Sequence, residues 1–78
     1  MIEPKTGEKY RHFNGQDKIY EIVCVALDCE NPENKMVIYK QLYETENFPV
    51  GTIWKRDLEI FVGFKELNGK KVKRFTKL

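Results

Sequence analysis

The chain has 78 residues, one small domain that buries only roughly 60% of the surface its unfolded form exposes. Its hydrophobic fraction of 41%, with five Phe, four Tyr and one Trp, excludes a disordered chain. No apolar run approaches the ~18 residues of a membrane-spanning helix, and a net charge of +2 is too small to imply nucleic acid by itself.

Charge is unevenly spread. Asp28 to Glu46 holds five acids and two bases, while Lys65 to Leu78 holds six bases and one acid. Such runs are most often solvated faces. The first residues carry no apolar stretch of signal-peptide length, so a cytoplasmic protein with reduced Cys24 and Cys29 is expected.

Residues 1–9 are polar, with Pro4 and Gly7, and read as a flexible leader; residues 10–78 form the single domain. Tyr10-Arg11-His12-Phe13 is a short extended segment ended by the turn pair Asn14-Gly15. Ile19 to Leu27, rich in Ile, Val and Tyr, is the clearest strand. Its two faces are both mainly apolar, which predicts a central strand covered on both sides with Cys24 as a small buried hydrophobe.

Asp28 to Lys35 reads as a polar loop containing Pro32, and Met36 to Tyr43 as the next strand, antiparallel to the first because so short a loop cannot hold a crossover. Glu44 to Gly51 is a second loop, and Thr52-Ile53-Trp54 is extended. Residues 57–61 suit one helical turn, with Asp57 as N-cap and Leu58 and Phe61 on one face. Val62 to Leu67 and Lys71 to Phe75 flank Asn68-Gly69, the signature of a β-hairpin. Five or six short strands with one helical turn predict a mainly β fold, a small SH3-like curled antiparallel sheet or barrel.

Most catalytic chemistries lack their residues. There is no serine, and His12 is the sole histidine. Cys29 sits in an acidic loop, which disfavours a thiolate nucleophile. Two cysteines and one distant histidine do not make a zinc site, and no phosphate, calcium or dinucleotide loop is present. The chain is expected to carry no catalytic centre, no metal and no cofactor.

Recognition chemistry is better represented. Tyr10, Arg11 and His12, then Trp54 and Arg56, then Arg74 beside Phe75, combine rings with cations, and Tyr39 and Tyr43 add an aromatic pair on one strand face. A guanidinium stacks on rings and grips carboxylates or phosphates in two places. The same residue types also close small cores at strand ends.

These segments resemble a bacterial family known as domain of unknown function 1653. The resemblance lies in Tyr10-Arg11-His12-Phe13-Asn14-Gly15, in Tyr20-Glu21-Ile22 followed by Ala26, and in Val37-Ile38-Tyr39-Lys40-Gln41-Leu42-Tyr43. It continues through Trp54-Lys55-Arg56-Asp57-Leu58-Glu59-Ile60-Phe61 and Gly69-Lys70-Lys71-Val72-Lys73-Arg74-Phe75. Asp57 and Ile60 stand where members carry proline and methionine, and Asp28-Cys29-Glu30 where many carry His-Ser-Glu. The resemblance implies a compact, mostly β domain and brings no activity, substrate or cofactor.

The expectation is therefore a small binding module. Its groove is lined by Tyr10, His12, Tyr43 and Trp54, with Arg56 or Arg74 anchoring the anionic group of a small ligand or a protein partner, and Arg11 and Tyr39 are further candidate binding residues. The alternatives are nucleic-acid binding through the basic C-terminal hairpin and an accessory subunit of an enzyme. Alternation divides Lys71 and Lys73 from Lys70 and Arg74, so nucleic acid would be held only weakly. No membrane partner is expected.

Overall fold

The computed structural model describes residues 3–78. The fold is mainly β. In chain order it comprises β1 (Lys9–His12), β2 (Ile19–Asp28), β3 (Asn31–Gln41), β4 (Ile53–Asp57), α1 (Leu58–Phe61), β5 (Phe64–Leu67), β6 (Lys70–Lys73) and β7 (Phe75–Lys77). Five strands form one antiparallel sheet in the order β4-β3-β2-β1-β7, and β5 and β6 form a separate hairpin. β4 and β7 are both edges, so the sheet is curled and open, and the barrel form of the expectation is not reached. No helix among the described residues is long and apolar enough to cross a membrane.

The strand count is seven rather than five or six because the last predicted strand is two. The chain bends at Arg74, whose N–H donates to the Gly63 carbonyl while its own carbonyl accepts from Phe13 N–H, both at 3.0 Å. Beyond this bend Phe75 leaves the hairpin and enters the main sheet opposite His12. The hairpin turn itself follows the sequence: Asn68 and Gly69 take φ values of 52° and 77°, the paired left-handed residues of a tight hairpin.

The register of β2 explains its two apolar faces. Ile22 opposes Tyr39 but Cys24 opposes Ile38, so Val23 is a bulged residue without a partner. One inserted residue reverses the inward face of everything that follows. Tyr20 and Ile22 point inward before the bulge, and Val25, opposite Val37, after it. Apolar residues are therefore required in both phases of the alternation, and only one face is covered. Cys24, expected in the core, lies on the uncovered face and is exposed.

The predicted loop from Asp28 to Lys35 is largely strand. β2 and β3 meet in a tight turn in which Asp28 pairs with Asn31, and the Asp28 carboxylate accepts from the Glu30 N–H at 3.0 Å. Residues 32–34 sit in a second irregularity between the pairs Leu27–Lys35 and Asp28–Asn31, so Pro32 costs no ladder hydrogen bond.

Residues 3–9, the described part of the expected leader, run along β2. Gly7 N–H donates to the Ile22 carbonyl at 2.9 Å, Ile22 N–H to the Glu8 carbonyl at 2.8 Å, and the Thr6 hydroxyl to the Val23 carbonyl at 2.9 Å. Pro4 is buried. Met1 and Ile2 of that leader lie outside the described residues.

The core is Ile22, Val37, Tyr39, Leu58, Phe61 and Phe75. Leu58 and Phe61 are the inward pair of α1, as their spacing predicts. Asp57 occupies the N-cap position, but its side chain makes no capping hydrogen bond. Phe61 stacks on Phe75 with ring centroids 4.1 Å apart and planes 9° from parallel. Burying each ring contributes about 1.5–3 kcal/mol. A Cβ at Gly63 would stand 2.8 Å from the Glu59 carbonyl, so glycine is needed where the chain turns out of α1.

Candidate functional site

Phe75 carries the site. It is 3% exposed, and rings from four segments surround it: His12 at 4.9 Å, Tyr20 at 5.8 Å, Tyr39 at 5.6 Å and Phe61 at 4.1 Å between centroids. Most of the pairs meet edge to face, the arrangement the ring quadrupole favours. Tyr43 joins through Tyr20, with centroids 5.4 Å apart and the two hydroxyls hydrogen-bonded to each other. Burial, then the bond to Tyr43, pushes the Tyr20 phenol well above its ordinary value, so its hydroxyl stays protonated.

Arg56 enters this cluster from β4. Its guanidinium lies 5.5 Å from the Phe75 ring centre, and its Nε donates to the Tyr39 hydroxyl at 3.2 Å. Position 56 faces inward because Arg56 opposes Val37 in the β3–β4 ladder. Arg74 sits at the bend before β7, half-buried, and its Nε is buried without a hydrogen-bond partner. Among the described residues neither guanidinium has a carboxylate within ion-pair distance. Buried guanidinium N–H groups are ordinarily paired.

His12 completes the arrangement from β1, on the pair with Phe75. Burial, and then the nearby charges of Arg56 and Arg74, hold its imidazole below its ordinary value. Its Nδ1 accepts from the Asn14 N–H at 3.3 Å and lies 2.7 Å from the Asn14 side-chain amide, so Asn14 holds the ring from both its backbone and its side chain.

The structure thus brings together His12, Tyr39, Tyr43, Arg56 and Arg74 of the predicted residues. Three others stand apart. Tyr10 packs edge-on against Phe61 at 5.3 Å, and its hydroxyl donates to Glu8 at 3.3 Å. Arg11 is exposed and donates to the Gln16 carbonyl at 3.3 Å. Trp54 donates from Nε1 to Gln41 Oε1 at 3.1 Å and packs on Phe48 at 4.8 Å.

Gln41, 2% exposed, was not singled out from the sequence, and neither was Tyr20 as a site residue. The Gln41 amide also donates to the carbonyls of Tyr43 at 2.8 Å and Phe48 at 3.1 Å, so it ties the 44–51 loop to the edge of the cluster. Its position on the inward phase of β3, after Val37 and Tyr39, is the one sequence signal that could have found it.

Two other features bear on function. A cleft of about 290 Å³ is lined by Glu3, Glu33, Asn34, Lys35, Leu58 and Glu59, and Glu3 is ion-paired with Lys35. It shares no residue with the aromatic cluster. Among the described residues no three His, Cys, Asp or Glu side chains gather as a metal site.

Fold and site together define a small, open-sheeted, mainly β domain in which buried rings hold Arg56 and the Nε of Arg74 is buried without a partner. The chain belongs to the family described as "Protein of unknown function (DUF1653)", whose family model matches residues 8–77. No curated protein and no solved structure matches it.

Proposed function

We propose that this protein is a small binding module whose ligand presents an anionic group to Arg56 and Arg74, beside His12 and the tyrosines that flank Phe75. One observation carries the reading: two half-buried arginines, Arg56 held by Tyr39 and Phe75 and Arg74 with its Nε unpartnered, are left without a carboxylate among the described residues. An anion there would neutralise guanidinium charge that burial makes costly. A metabolite or the acidic end of a peptide would both meet that requirement.

The basic hairpin gives nucleic acid less support. In the β5–β6 ladder Glu66 opposes Lys71, and Lys70 and Lys73 fall on opposite phases, so the cations form no continuous stripe.

Isothermal calorimetry with benzoate and phenyl phosphate at fixed ionic strength tests the proposal. Saturable binding is expected in the native protein and is expected to weaken in Arg56→Gln and in Arg74→Gln, with folding checked by circular dichroism. Binding unchanged in both folded variants, or no binding of either anion, would refute it. A salt-sensitive complex with single-stranded RNA, abolished by charge reversal of Lys71 and Lys73, would move the function to the hairpin.

A further inference from the structure

The β5–β6 hairpin stands outside the main sheet and pairs only with itself. Every residue of its two strands is exposed except the half-buried Val72. Two strands alone are marginal in water, so an uncovered hairpin is stabilised by packing against something else. Its cross-strand pairs sort its side chains. Lys65 lies opposite Val72 and Leu67 opposite Lys70, so these four share one face. Phe64, Glu66, Lys71 and Lys73 share the other, where Glu66 lies opposite Lys71 and offsets part of the charge. The first face has no acid. It presents an apolar pair, Leu67 at 47% exposure and Val72, between two lysines.

A surface of the inverse kind lies at the turn between β2 and β3. Leu27 to Glu33 contains three acids and no base. Leu27 is 61% exposed, and Glu30 and Glu33 are exposed on the same ribbon. Among the described residues the ion pairs are Lys35 with Glu3 and Lys77 with Glu8, so neither the hairpin lysines nor these acids are neutralised within one protomer. An apolar residue rimmed by acids is complementary to an apolar pair rimmed by lysines.

We infer that a second copy of this chain covers the hairpin: in a two-fold dimer, the Lys65, Leu67, Lys70 and Val72 face of each protomer lies against the β2–β3 turn of its partner. The contact is reciprocal, so both surfaces of both protomers are used and the assembly closes as a dimer. It involves neither Arg56 nor Arg74 and stands independently of the anion-binding reading.

Sedimentation equilibrium over a concentration series tests this. The native protein is expected to dimerise at about 0.05 M salt, with a dissociation constant about tenfold or more higher at about 0.5 M, where the exposed charges are screened. Lys65→Glu with Lys70→Glu, and separately Glu30→Lys with Glu33→Lys, are each expected to be monomeric, with circular dichroism checking the fold. Each variant carries like charge on both surfaces. Mixing the two variants restores opposite charge at both contacts, so an equimolar mixture is expected to form a heterodimer. A native protein monomeric at every concentration would overturn the inference. So would a dimer that either reversal leaves intact, or two folded variants that stay monomeric when mixed. Capture of a monomeric native protein by poly-glutamate, lost in Lys65→Glu with Lys70→Glu, would assign the face to a foreign acidic partner and overturn it as well. If a reversal variant does not fold, the native dimer decides by its salt dependence, and a dissociation constant unchanged by salt contradicts the contact.

Discussion

Arg56 donates from Nε to the Tyr39 hydroxyl at 3.2 Å while its guanidinium lies over Phe75, so a single buried tyrosine oxygen fixes the direction of the cation. Tyr39 is 4% exposed and takes its own orientation from Tyr20, Phe61 and Phe75. Tyr39→Phe keeps the rings and removes that oxygen. It should cost about 1 kcal/mol of stability in chemical denaturation. It should also weaken anion binding by freeing Arg56 to adopt other rotamers. A variant as stable as the native protein and equal in binding would show that the bond does not position Arg56.

Gln41 is the polar residue on which the loop edge depends. It accepts from Trp54 and donates to two loop carbonyls. Gln41→Leu fills the same space and takes the partner from the Trp54 N–H and the Tyr43 carbonyl, while the Phe48 carbonyl keeps Thr45, so a loss of about 1–3 kcal/mol is expected. Trp54 is the sole tryptophan, and its fluorescence should move to the red as the indole loses its partner and gains water. An unshifted spectrum with native stability would contradict this account of the 44–51 loop.

His12 links stability to pH. Burial, together with Arg56 and Arg74, lowers its folded value below the ordinary 6.5, so the unfolded chain takes up the proton first. Its contribution is fully present above pH 6.5 and is lost as pH falls through the folded value. Glu8, held low by its hydrogen bonds from Lys77 and from the Lys5 N–H, loses its contribution in a separate window below 4.5. Between pH 7 and 5, thermal unfolding of the native protein should therefore lose more stability than that of His12→Asn. Parallel curves for the two proteins would rule out His12 as the titrating group.

Much of the fold is legible where one residue type has one local use. Asn68-Gly69 reads as a hairpin turn because few other pairs accept two positive φ angles, and Leu58 and Phe61 read as a helical face by spacing alone. The bulge at Val23 leaves no such mark. Val is an ordinary strand residue, and the insertion is defined only by what β3 places opposite it. Cys24 is consequently expected in the core of a strand covered on both sides and is found exposed. The break at Arg74 is equally silent, since it exists to let Phe75 reach β1, where it pairs with His12, 63 residues away in sequence.

The site shows the same division. Aromatic and basic residues could be named from their types, but sorting them needed the sheet. Arg56 and Arg11 look alike in sequence, yet one opposes Val37 in the core and the other lies exposed beside Gln16. Gln41 was missed because glutamine inside a strand is usually a surface residue, and only burial reveals its three hydrogen bonds.

The arginine Nε–Hε resonances observed by nuclear magnetic resonance during a titration with phenyl phosphate test the central claim most directly. The chain has three arginines, and Arg11, outside the cluster, serves as the internal control. The account predicts that the Arg56 and Arg74 signals move and saturate together while Arg11 stays in place. Three arginines shifting alike without saturation, or saturable shifts confined to the lysines of β5 and β6, would contradict it.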